Sequence, residues 1–231
     1  MGWWLRWVPV AAVTGSLLAA YGTAADPAAL AGGGFLGLVG VLVAQFGCVA
    51  AVRWGPVSAA RAAPAAVRTG VVAGGVTGAL YGAEVLAEYL SPAVTGASVA
   101  IGWIIVAGLV TAGLSAAAVA TIRLRSLRAG VTAAVYCAIT EYLVWYPVVL
   151  ACYYVFRTSA ATERVWRAEG TYQDFARSGA SDIRVFVLQD FWGAGFFHLI
   201  AGLIIAGVFG TAAAITVRGV QRRRRPVPTR G

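Results

Sequence analysis

Glu141 demands more of its surroundings than any other residue in the chain. It falls about ten residues into an apolar stretch long enough to cross a bilayer. At ~1.5 Å of rise per helical residue, that is near the middle of ~30 Å of hydrocarbon. A carboxylate is costly there and turns toward a bundle interior or a wet cavity. No Arg is expected at the same depth, so Glu141 is expected to be protonated, hydrated in a cavity, or hydrogen-bonded by a neutral partner, with Gln45 of another span as the candidate. Such an intramembrane polar site serves proton or cation coupling where it lines a path, and joins helices where it does not.

His198 is the single histidine. With Ala194, Gly202, Ala206, Gly210 and Ala214 it forms a fourfold series on the last span, about one turn below the outer surface. Glu84 and Glu88, one turn apart at the outer end of another span, and Asp190 complete an expected outer polar site, separate from that of Gln45 and Glu141. A lone His on a packing face is more often hydrogen-bonded structure than a ligand, and no second ligand stands four residues from it. No metal site and no cofactor are therefore expected. Neither HExxH, GxSxG nor a Walker loop occurs, so no catalytic residue is assigned. Cys48, Cys137 and Cys152 have no CxxC spacing, so no disulfide is expected, and Cys48 and Cys137, within spans, read as small apolar packing residues.

The elements that must hold these groups follow from composition. With 60% hydrophobic and 12% charged residues, the chain lies outside the range of soluble domains. An all-α, polytopic transmembrane helix bundle is predicted, with about six spans near residues 6–23, 35–52, 70–88, 98–122, 131–156 and 192–217. The segment RTGVVAGGVTGALYGAEVLAE, Arg68 to Glu88, places Gly70, Gly74, Gly78 and Gly82 on one helix face. Each interior glycine costs ~1 kcal/mol in a water-exposed helix, but in lipid such a strip admits a neighbouring backbone. Span three is therefore expected at the centre of the bundle, and Gly202, Ala206 and Gly210 are expected to pack span six in the same manner.

All 18 basic residues are Arg, and 13 of them lie at the N-terminus, around two short loops and in the tail, in regions free of acids. That is a topology signal and not a nucleic-acid surface. It puts both termini in the cytoplasm of a plasma (inner) membrane. Residues 157–190 then form an extracytoplasmic loop with short amphipathic helices, its five Arg balanced by Glu163, Glu169, Asp174, Asp182 and Asp190. Gly170 and Gly179 break these helices, and Phe191, Trp192, Phe196 and Phe197 mark the return to the membrane. The aromatic run from Tyr142 to Tyr154 reads as an outer-leaflet belt. The basic tail, 218–231, locks orientation and offers charge to anionic lipid. Arg without Lys, beside abundant Ala and Gly, suggests a high-GC bacterial genome.

The partners implied are the lipid bilayer, other membrane helices or a second copy, and anionic lipid, with no nucleic acid. The expected function is transport of a small solute or ion, alone or as a membrane component of a complex. A non-catalytic assembly subunit is the alternative, and a lipid-acting enzyme without a motif ranks third.

Overall fold

The computed structural model describes residues 4–55, 57–58, 61–90, 96–180 and 182–223, and among them every regular element is helical. The order is α1 (Trp4–Ala25), a 3-10 turn (Pro27–Leu30), α2 (Gly34–Arg53), α3 (Pro64–Leu90), α4 (Gly96–Leu124), α5 (Leu127–Phe156), α6 (Ala160–Ala168), α7 (Thr171–Ser178) and α8 (Ile183–Arg223). Five helices, α1, α2, α3, α5 and α8, are long and apolar enough to cross a membrane. The apolar stretch described in α4, Val110–Leu124, is shorter. Leu36, Trp103 and Phe197 are each 72% exposed, whereas Gln45, Tyr142 and Tyr146 are wholly buried. Apolar faces outside and polar rings inside suit a lipid solvent rather than water.

Local chemistry explains the boundaries. Pro64 opens α3, where its missing N–H is no loss. Ser126 caps α5 by accepting from the Ala129 amide at 3.4 Å, and Ser159 caps α6 by accepting from Thr162 at 3.1 Å. Gly170 and Gly179, at φ 79° and 73°, take the left-handed conformation that ends α6 and α7. Asp182 then accepts from the Arg184 amide at 2.7 Å and starts α8. The short helix expected after Gly179 and the sixth span are thus one helix of 41 residues, which begins nine residues before the expected start at 192.

The hub is α5, not α3 as expected. Two-thirds of its apolar window is buried, against one-third for α3, and α1, α3, α4 and α8 all pack on it. The physical reason lies in side-chain size: α5 supplies the bulk, with Tyr136, Ile139, Tyr142, Tyr146, Leu150 and Tyr153 all buried, and α3 supplies the groove. A Cβ on Gly70 would overlap the Ala133 carbonyl oxygen, and one on Gly74 that of Cys137. On Gly78 it would lie 2.7 Å from the Glu141 carbonyl oxygen, and on Gly82 3.3 Å from a Val148 methyl. The seam is tightest near the Pro64 end of α3 and opens toward Leu90.

On α8 the packing differs from the fourfold series. Leu188, Trp192, Gly195 and Leu199 are buried in the half nearer Ile183, and Ala206, Gly210 and Ala214 in the half nearer Arg223. From Leu188 to Leu199 the steps alternate between four and three residues, because a strict fourfold row drifts about 40° per step around a 3.6-residue helix, whereas Ala206, Gly210 and Ala214 keep the fourfold spacing. Ala194 is consequently exposed, and Gly202 lacks the expected close approach: a Cβ there would find only Ala138 Cβ, at 3.8 Å. Gly210 does pack closely, 2.6 Å from Ala134 Cβ on the same measure. Trp192, expected at the headgroups, is fully buried, as are Tyr142, Tyr146 and Tyr153 of the expected belt.

α3 and α5 run parallel, as do α2 and α8, while α5 and α8 run antiparallel, and each end of the bundle is tied. At one end Arg157 pairs with Asp26, Gln189 donates to the Ala29 and Ala31 carbonyls at 3.0 Å, and Tyr89 stacks on Phe156. At the other, Gly130 packs on Thr121 and Ala214, and Gln221 reaches the Ile122 carbonyl. The three cysteines are buried free thiols.

Candidate functional site

Glu141 lies at the midpoint of α5, 14 residues after Leu127 and 15 before Phe156. Its partner is His198 of α8 rather than Gln45. The imidazole Nε2 lies 3.1 Å from both carboxylate oxygens, a symmetrical fork. The Glu141 side chain is 8% exposed and that of His198 23%, so solvent-sized space reaches the imidazole side. The early start of α8 accounts for the difference in depth. Nine further residues at ~1.5 Å each set His198 about 13 Å deeper than a span starting at 192 would.

Gln45 instead donates to the Tyr142 hydroxyl at 3.3 Å. Adjacent helical residues point ~100° apart, so Glu141 faces α8 while Tyr142 faces α2. Gln45 Oε1 and the Tyr146 hydroxyl remain buried without a hydrogen-bond partner. The expected outer polar site is likewise redistributed. Glu84 and Glu88 interact with each other on α3, and the charge of Glu84 reaches Glu169 at the end of α6. Asp190 is exposed on α8, with Asp174 its charged neighbour. No group of three or more His, Cys, Asp or Glu suited to a metal occurs among the described residues.

Two aromatic residues complete the surroundings of the pair. His198 stacks on Trp145 with centroids 4.3 Å apart, and Trp145 stacks on Tyr81 at 5.1 Å and 9°. Trp145 was legible in principle, since it stands four residues from Glu141 and so on the same face. Tyr81 carries no such signal, being one position from Gly82 in a segment read for packing alone.

The pair forms part of the wall of a cavity of about 250 Å³ between α3, α4, α5 and α8. From α3 come Thr77 and Tyr81, from α4 Val110 and Leu114, and from α5 Cys137. Gly202 and Gly210 of α8 also line it, so their missing side chains leave space as well as close packing. The Thr77 hydroxyl is committed to its own helix, donating to the Ala73 carbonyl at 3.0 Å. Chemically, the arrangement can hold a proton on the imidazole beside a carboxylate, exchange it with the cavity, and offer a negative site when the imidazole is neutral.

Fold and site together define an all-helical bundle, with several helices of membrane-spanning length, built around a buried carboxylate–imidazole pair. No family model, curated protein or solved structure matches this chain.

Proposed function

We propose that this protein is a small multi-pass membrane transporter in which Glu141 and His198 form the proton-coupled solute site. The observation that carries the reading is a carboxylate–imidazole pair at mid-helix depth, open to a cavity shared by four helices. A polar pair kept only to join helices needs packing and a hydrogen bond, and no open space beside it. The assembly reading therefore draws less support. In the proposed arrangement α4 is a sixth crossing, both termini face the cytoplasm, and the α6–α7 segment lies outside. The acid-free clusters of Arg support this topology, as does the placement of eight of the nine acids, all but Glu141, toward the opposite end.

The test needs no knowledge of the solute. Proteoliposomes on a solid-supported membrane receive a pH jump, and protonation of an intramembrane site displaces charge as a transient current. Wild-type protein should give this current, while Glu141→Gln and His198→Gln, reconstituted to equal amounts and with unchanged melting, should lose it. An undiminished current in Glu141→Gln would refute the assignment.

A further inference from the structure

We infer that the solute is a small monovalent organic cation with an apolar body, a tertiary or quaternary amine, exchanged against the proton on His198. The inference rests on the transport reading of this site. With His198 protonated the pair is neutral. When the imidazole gives up the proton on Nδ1 and keeps the one shared with Glu141 on Nε2, the pair carries one negative charge. A monovalent cation restores neutrality, so one proton leaves for each cation that enters. Anions have nothing to pair with in either state.

Every helix around the pair is accounted for among the described lining residues. α4 contributes no ionisable group, α5 adds the Cys137 thiol, and α3 adds Tyr81. The charges of Glu84 and Glu88 reach Tyr81 from the outer end and reinforce the preference for a cation. Inorganic cations are disfavoured because they need several oxygen ligands. The cavity offers two carboxylate oxygens and the Tyr81 hydroxyl on a wall otherwise made of residues such as Val110, Leu114 and Ile205.

Aromatic faces supply what oxygen ligands do not. Tyr81 and Phe209 line the cavity, and cations rest favourably on such rings. His198, itself on the cavity wall, stacks on Trp145 at 4.3 Å, so an aromatic face already backs the protonatable ring of the pair. The volume of about 250 Å³ equals roughly eight water molecules at ~30 Å³ each, the scale of tetraethylammonium.

The experiment measures equilibrium binding of labelled tetraethylammonium to the full-length protein in detergent, beside triethylcarbinol as a neutral probe of similar size. Affinity for tetraethylammonium should rise by up to about tenfold per pH unit while His198 is protonated, as one displaced proton requires. Glu141→Gln should abolish binding with its melting retained, and Glu141→Asp should keep both binding and pH slope. Tyr81→Leu should weaken the cation at least severalfold and leave triethylcarbinol unchanged. Binding that is flat with pH, matched by triethylcarbinol or retained in Glu141→Gln would overturn the inference. The pH-jump current is read separately. Current without tetraethylammonium binding refutes the substrate class and spares the transport reading, whereas binding without current supports the class and overturns transport.

Discussion

Alanine at each glycine of the α3 face separates backbone contact from ordinary packing. At Gly74 the new Cβ meets the Cys137 carbonyl and lies 2.8 Å from Thr140 Cβ. Neither atom can turn aside, because both are fixed to the α5 backbone. The substitution gains ~1 kcal/mol of helix preference, while overpacking costs ~1–3 kcal/mol. With two immovable neighbours the cost belongs at or above the top of that range, for a net loss of about 2 kcal/mol. At Gly82 the nearest atom is a Val148 methyl at 3.3 Å, which needs to yield by only a few tenths of an ångström, so Gly82→Ala should be neutral or stabilising by up to ~1 kcal/mol. The expected spread of 2–3 kcal/mol corresponds to roughly 4–12 °C in melting for a chain of this length. Melting in detergent, followed by retention of the size-exclusion peak, measures it. Gly82→Ala falling as far as Gly74→Ala, or Gly74→Ala matching wild type, would refute backbone contact as the cause. Gly78→Ala should fall between them. It also presses on the Glu141 carbonyl and Cα, so it alone of the series should alter the pH-jump current.

Asp26→Asn removes the partner of Arg157, whose burial opposes its charge but whose pKa the Tyr153 hydrogen bond and the Asp26 carboxylate raise above its ordinary value. Both side chains are partly exposed, so the expected loss is within ~1 kcal/mol and should shrink at high salt, as melting at two ionic strengths will show. Glu169 lies outside the long helices, and desolvation followed by the charge of Glu84 raises its pKa above 4.5. The folded state then binds this proton more tightly than the unfolded state, so stability falls as pH rises from 4.5 through the folded value. Glu169→Gln should melt higher than wild type above that window and equally below it, and a gap that persists at the acid end would contradict the linkage.

Apolar period and punctuation made most of the bundle readable. α1, α2 and the end of α5 fall within two residues of their expected bounds, because Gly, Pro and Arg mark those ends. α3 begins at Pro64 rather than Gly70 since Ala66 and Val67 are buried helix, although Arg68 made the segment read as loop. The start of α8 was hidden by mixed composition. Arg184, Gln189 and Asp190 gave residues 183–190 the look of a polar loop, yet Val187 and Leu188 form a buried face. That one boundary also hid the site. Glu141 stood out as a lone carboxyl in a span, but its partner's depth was reckoned from Trp192 as an interface marker, and Trp192 is a core residue. Gln45 was matched to Glu141 by depth alone, which carries no information on which face each residue presents.

The length of α8 has a mechanical consequence. Its 41 residues extend ~60 Å, about twice the hydrocarbon thickness, so tilting cannot submerge it and the ends must project as rigid arms. His198 sits 15 residues from one end and 25 from the other, or about 22 and 37 Å along the axis. A rocking of ~5° about that point sweeps the arms through roughly 2 and 3 Å while the imidazole itself barely translates. The carboxylate–imidazole fork is the fulcrum of the longest lever among the described helices, and α7, packed on its shorter arm, is where a force would be applied to it.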